Sequence, residues 1–195
     1  MTEIVLFHHA LGLTDGVRQF ADQLRSRGFA VRTPDLFEGR VFSSVEEAFQ
    51  YVERVSCATL LQRAEESCVE IHGRIIFGGF SLGVVPAQHM MLAKPSIGGL
   101  LFHGFTPFEA DTSDWPQLPM HVYAMAEDPL FVGDGDIEAV REAQAVLPQL
   151  ELHLFEGRKH LFTDSSTGDY DAFATQQVLD HVIDAVQGMR AASPI

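Results

Sequence analysis

The chain has 195 residues, 46% of them hydrophobic, enough for one domain with a substantial core. Thirteen basic residues against 27 acidic ones leave a formal net charge of −14, which argues against nucleic acid and anionic membrane surfaces as partners. No apolar run reaches the length of a membrane span, and the first residues lack the basic start of a signal peptide, so a cytoplasmic protein is expected.

Ile4-Val5-Leu6-Phe7 is a continuous apolar run, as in a strand buried on both faces. The loop His8-His9-Ala10-Leu11-Gly12-Leu13 follows. Thr14 can cap a helix whose apolar stripe is Val17, Phe20, Ala21 and Leu24 and whose end is Gly28. A second strand is expected over 29–33. Ser44 and Glu47 make a capping box, and helical pattern runs from there to about residue 71, broken near Ser56 and Cys57. Strand three covers 74–78 and leads into Gly79-Phe80-Ser81-Leu82-Gly83, followed by a helical run to Leu92. Strand four is 98–103. Residues 104–119 show no clear period and hold Phe105, Phe108 and the single tryptophan, Trp115. Strand five covers 120–126, a helix about 136–147, strand six 150–155, and an amphipathic helix 169–189. Cys57 and Cys68, three helical turns apart, are too distant to bond and are expected to be free and buried.

Strands that alternate with helices imply right-handed crossovers and a mainly parallel sheet covered on both faces. Ligands bind such sheets beyond the C-terminal ends of the strands. That rule selects residues 8–11, 34–42, 80–82, 103–108, 127–131 and 156–162. The pentapeptide around Ser81 has the G-x-S-x-G form that holds a nucleophilic serine at the tip of a strained strand-to-helix turn. A serine nucleophile needs a base and a group that orients the base. His160 is the candidate base and Asp128 the candidate orienter, with Glu127 as its rival. The chain order Ser…Asp…His is that of α/β-hydrolases. Leu82 N–H, in the first turn after the serine, and Ala10 N–H, from the loop after strand one, are the candidate oxyanion donors, with Leu11 next after Ala10. His9, Leu11, Phe37, His103, Phe105, Trp115 and Phe131 are candidates to line an apolar substrate pocket. Of His8 and His9, one is expected to pack and the other to sit at the pocket mouth. Adjacent side chains diverge, and no cysteine or carboxylate pair has metal-site spacing with these two histidines, so no metal and no cofactor is expected.

With these residues placed, the chain resembles the dienelactone hydrolase family, a compact branch of the α/β-hydrolases. The resemblance runs almost end to end. It is carried by His9-Ala10-Leu11-Gly12-Leu13, Thr33-Pro34-Asp35-Leu36-Phe37, the Ser81 elbow, Asp128-Pro129-Leu130-Phe131-Val132 and Gly157-Arg158-Lys159-His160-Leu161-Phe162. It implies a single α/β-hydrolase domain over 1–195, a doubly wound parallel sheet of about six strands in the order 2-1-3-4-5-6. It implies a serine hydrolase that cleaves small carboxylic esters or lactones through an acyl-enzyme, with Ser81, Asp128 and His160 as the triad and Leu82 and Ala10 as the oxyanion hole. Relatives that act on dienelactones carry cysteine at the elbow, a glutamate in the loop after strand one, and an arginine after the catalytic histidine for the substrate carboxylate. Here Ser81 and His9 stand at or beside the first two places, and Asp164 is the charged residue in the third stretch. Asp164 is therefore expected to repel a carboxylate, with Arg40 and Arg158 the nearest substitutes for the arginine.

Two other readings compete. An α/β-hydrolase-fold binding or regulatory protein would keep the fold and have lost the activity; a complete triad argues against it. A flavodoxin-like mononucleotide binder would need a phosphate-cradling loop after strand one, and His8-His9-Ala10-Leu11-Gly12 is poorly suited to that. The expected partner is a small-molecule ester or lactone; the oligomeric state is left open.

Overall fold

The computed structural model describes residues 2–108 and 112–192. Six strands, β1 (Thr2–Phe7), β2 (Ala30–Arg32), β3 (Arg74–Phe80), β4 (Gly98–Phe102), β5 (Met120–Met125) and β6 (Leu150–Phe155), form one sheet in the order β2-β1-β3-β4-β5-β6. Every pairing is parallel, so the expected sheet is the observed one. The order reverses direction between β1 and β3, which opens a crevice at the C-terminal ends of those two strands.

Among the described residues seven helices cover the sheet: α1 (Asp15–Ser26), α2 (Val45–Val55), α3 (Cys57–Ser67), α4 (Val84–Ala93), α5 (Pro129–Gly133), α6 (Asp136–Ala143) and α7 (Ala172–Ala192). Alternation along the strands divides the core in two. Ile4 and Leu6 of β1 face α1 and α7, with Phe20, Leu24, Val182 and Val186. Val5 and Phe7 face the other helices, with Leu60, Ala87 and Val140. The strands in the middle are buried on both sides, which is why they read as unbroken apolar runs.

The boundaries follow local chemistry. Thr14 caps α1, its hydroxyl accepting Val17 N–H at 3.2 Å. Ser56 separates α2 from α3 at φ 74° and caps the second by accepting Thr59 N–H. Cys57 therefore opens α3 and is exposed, contrary to expectation, while Cys68 is buried; both thiols are free. β3 continues two residues beyond the expected end, to Phe80, so the elbow leaves a fully buried strand. α5 was not foreseen, because five residues are too few for a helical period; Asp128 caps it, with Pro129 in its first turn. α7 begins at 172 rather than 169. Asp169 turns inward to accept Leu161 N–H, and Asp171 supplies the cap by accepting Ala174 N–H.

Residues 104–108 are tied down by Gln88, which accepts Thr106 N–H and donates to its carbonyl, and by Asp136, which accepts Phe105 N–H. Residues 109–111 of that segment lie outside the described residues. Among the described residues no helix is long and apolar enough to cross a membrane.

Candidate active site

At the crevice the chain turns from β3 into α4 through a single 3-10 turn, Ser81–Gly83. Ser81 sits at φ 49°, a region costly for a side-chain-bearing residue. The glycines two before and two after it explain how the turn closes. A Cβ on Gly79 would lie 1.9 Å from the Gly83 carbonyl oxygen, and a Cβ on Gly83 would lie 2.3 Å from that of Phe7. The second approach also presses the elbow against the end of β1, which brings the His8–Leu11 loop to the serine.

Ser81 Oγ donates to His160 Nε2 at 2.7 Å, and His160 Nδ1 donates to Asp128 Oδ2 at 2.7 Å. These groups come from the ends of β3, β6 and β5, so the sheet itself sets their spacing. Asp128 is fully buried and its second oxygen accepts Leu130 N–H in the first turn of α5. Glu127, the rival orienter, is exposed. Lys159 Nζ donates to the Tyr170 carbonyl and Asp169 accepts Leu161 N–H, which brace the His160 loop from both sides. Ser81 and His160 remain half-buried, so the pair is open to a substrate. The arrangement can move a proton from the serine hydroxyl to an imidazole whose orientation and positive charge a buried carboxylate supports.

The oxyanion side is organised by a pair of residues whose place in the structure differs from expectation. His9 is buried at 1% exposure, not at a pocket mouth. Its Nδ1 accepts Leu11 N–H at 3.2 Å and its Nε2 donates to Asp164 Oδ2 at 2.6 Å, so its tautomer is set from both sides. Gly12 N–H goes to the His9 carbonyl. Leu11 and Gly12 N–H are thus both engaged within the loop, whose residue Ala10 is half-buried, as is Leu82 at the start of the elbow turn.

Asp164 does not face a substrate. It is 2% exposed and accepts from His9, from the Thr14 hydroxyl at 2.5 Å, and from Ser166 N–H and Oγ–H at 2.7 and 2.6 Å. Burial pushes its carboxyl up, but the hydrogen bonds from His9, Ser166 and Thr14 outweigh burial and hold it down at about 2. The expectation of carboxylate repulsion therefore loses its basis. Asp164 is legible in the sequence by its place but not by its role: it braces His9 and the loop after β1 from 155 positions away. His8 is buried as well. It donates to the His9 carbonyl and accepts Leu36 N–H, and burial lowers its pKa to about 4, so it is a neutral strut between two loops.

Most of the expected pocket residues are core. Phe37, Phe105 and Phe131 have no exposure. Phe37 packs on His8 and Tyr51, and it shares with Leu82 the lining of an apolar hollow of ≈ 10 Å³, too small for an acyl chain. Trp115 is half-buried against Phe108, with ring centroids 5.4 Å apart. His103 lies behind His160. Its ring is 6.0 Å from that of His160 and edge-on to Phe162, its Nε2 bonds Thr163 Oγ1, and burial first, then His160, holds it neutral. Leu11, also half-buried, does meet open space. It joins Leu13, Val41, Phe42, Val45 and Leu161 around a groove of ≈ 810 Å³ that adjoins the His160 loop and the oxyanion loop. Arg40 and Arg158 are exposed, and Arg40 lies over the Tyr51 ring.

Several solved structures share this fold. The dienelactone hydrolase-like promiscuous phosphotriesterase P91 from metagenomic libraries matches 97% of this chain and 87% of its own, at 24% identity and a TM-score of 0.79. The structure called m3DLH matches 96% and 86%, at 22% identity and 0.78. Thermogutta terrifontis esterase 2, in its apo form, matches 100% and 85%, at 16% identity and 0.59. No curated protein sequence matches. The profile described as Dienelactone hydrolase family matches residues 1–189, and the chain belongs to that family.

Proposed function

We propose that the protein is a serine hydrolase that cleaves small carboxylic esters or lactones through an acyl-enzyme. The observation that carries this reading is the unbroken pair of 2.7 Å hydrogen bonds from Ser81 to His160 to Asp128, at a strained turn. Ser81 Oγ attacks the substrate carbonyl carbon while its proton passes to His160 Nε2. The negative oxygen of the tetrahedral intermediate is held by Leu82 N–H and Ala10 N–H. His160 then gives its proton to the departing alkoxide, and the C–O bond breaks to leave an ester on Ser81. Water attacks that ester with His160 again as base, releasing the acid and restoring the serine. Every step uses groups of the chain itself. Such an elbow is selected for reactivity rather than stability, since the positive φ of Ser81 costs roughly 1–3 kcal/mol.

The groove beside Leu11 and Leu161 is mixed, with Leu13, Val41 and Phe42 on one part and Asp15, Arg18 and Asp169 on another, so it offers a substrate both apolar and charged contacts. Family membership supports the hydrolase class, and two structural neighbours are esters' enzymes by their names. One of them, the Thermogutta terrifontis esterase, has been captured phosphorylated by paraoxon. By the same chemistry, attack of Ser81 Oγ on paraoxon phosphorus would expel p-nitrophenolate and leave a phosphoserine ester.

The test is labelling with a fluorophosphonate or paraoxon, read by intact mass, alongside turnover of p-nitrophenyl esters and lactones of graded size and charge. Wild type should label once and Ser81→Ala should not. No labelling of wild type, together with no ester turnover, would sink the reading and leave the inactive binding protein in its place.

A further inference from the structure

We propose that His121, Glu151 and His153 form a binding site for an imidazole-preferring divalent metal ion, of which Zn²⁺ is the representative, on the α7 face of the sheet and away from Ser81. The site follows from strand register. β5 and β6 pair in parallel with His121 opposite Glu151 and Tyr123 opposite His153. Residues two apart on a strand share a face, so these four side chains stand together beneath α7. Glu151 is the exposed member, and the two histidines are half-buried.

The donor atoms are spaced as a metal requires. His121 Nδ1 lies 3.0 Å from His153 Nε2, and Glu151 Oε2 lies 3.7 and 3.6 Å from those two nitrogens. A point about 2.0 Å from all three atoms exists, close to their common plane, which matches Zn–N and Zn–O bonds of about 2.0–2.2 Å. The two imidazoles meet edge to edge, their planes 13° apart and their nitrogens joined by an N–H···N hydrogen bond, so an ion must displace the shared proton and turn both rings toward Glu151. Both rings lie at 15° to the Tyr123 ring, and His181 of α7 closes edge-on against His153 at 5.2 Å.

An open pocket of ≈ 420 Å³ lies over these residues, with His181 and Asp184 also in its wall. Three protein donors with an open fourth position is the pattern of an exchangeable site, whereas structural zinc sites are closed by four. Two imidazoles and one carboxylate select zinc, nickel or copper over magnesium or calcium, which take oxygen ligands.

The competing reading is a neutral histidine pair that shares one N–H. It accounts for the 3.0 Å contact and gives Glu151 no part, since 3.6 Å is too long for a hydrogen bond. The expectation of no metal considered only His8 and His9; the usable pattern was H-x-Y on strand five and E-x-H on strand six. His121 is the second residue of β5 and Asp128 lies beyond its far end. At about 3.3 Å per residue the site is roughly 20 Å from the triad, so ester turnover is the wrong readout.

The experiment is Zn²⁺ titration of the chelator-treated full chain, by calorimetry or by competition with a chromogenic chelator. It is run on wild type, Glu151→Gln and His153→Gln. Glu151 is exposed, so Glu151→Gln leaves the fold intact even if His153→Gln does not. One Zn²⁺ should bind with micromolar or tighter affinity, each substitution should weaken it by at least about tenfold, and saturating Zn²⁺ should raise the unfolding midpoint of wild type only. Co²⁺ in place of Zn²⁺ should give visible absorption that Glu151→Gln alters. Absence of binding at 100 µM Zn²⁺, or binding that Glu151→Gln leaves unchanged, overturns the proposal.

Discussion

Replacing Asp164 by Asn tests the bracing of the oxyanion loop. The carboxylate accepts four hydrogen bonds, two on each oxygen. An amide keeps the shape but turns one oxygen into a donor. Placed at Oδ2, it would face His9 Nε2–H and the Thr14 hydroxyl. Thr14 can rotate; His9 can relieve the clash only by moving its proton to Nδ1, which expels Leu11 N–H. Hydrogen bonds to a charged group contribute about 1.5–3 kcal/mol each, so losing two at a buried site should cost about 3–5 kcal/mol. In a chain of this length that corresponds to a fall in Tm of roughly 10 °C. Loosening Ala10 N–H should also lower kcat by about tenfold or more, since a full oxyanion donor accounts for about 10²–10³. Acid unfolding supplies a second readout. The folded carboxyl is held at about 2, below its usual 3.8. Its stabilisation is therefore full above pH 4 and lost as pH falls toward 2, about 2 kcal/mol in all. Asp164→Asn should remove that limb. Thermal unfolding and p-nitrophenyl acetate kinetics check both parts. A variant with wild-type Tm and wild-type kcat would refute the reasoning.

Other outcomes follow from the same geometry. Ser81→Ala should lower ester turnover by about 10⁴-fold or more and abolish covalent labelling with unfolding unchanged or improved, and Asp128→Asn should lower kcat by about 10³–10⁴. Gly79→Ala should leave the chain insoluble or unfolded, because its Cβ would meet the Gly83 carbonyl at 1.9 Å; Gly188→Ala, with no atom within 4 Å in mid-helix, should add about 0.5–1 kcal/mol in chemical denaturation. His8 is neutral when folded, with a pKa of about 4 against 6.5 unfolded. The unfolded chain thus binds the extra proton between those values, and stability should fall by about 3 kcal/mol from His8 alone as pH drops from 6.5 to 4. Guanidinium midpoints that stay level across that range would contradict its burial.

The sheet was legible in the sequence because its signals are local. The strand segments and their capping residues depend on spacing within a few positions, whereas the strand order came from the resemblance to the family. The elbow was legible for the same reason: Gly79 and Gly83 answer to a clash across four residues. The chain order of Ser81, Asp128 and His160, each just past a strand end, then placed three distant residues together with no knowledge of contacts.

What tertiary structure alone decided is which side chains face water and which face each other across the chain. Phe37, Phe105 and Phe131 have the composition of a pocket wall, yet they fill core, since an apolar ring is equally at home in either. His9 and Asp164 look like binding groups in sequence. Folding buries them against each other, and a buried charge that is fully hydrogen-bonded becomes a brace. His121, Glu151 and His153 are unremarkable along the chain; only the register of β5 on β6 brings their donor atoms within bonding reach of one ion. Local pattern determined the framework and the order of Ser81, Asp128 and His160 along it, and long-range register and burial decided what the remaining polar groups can do.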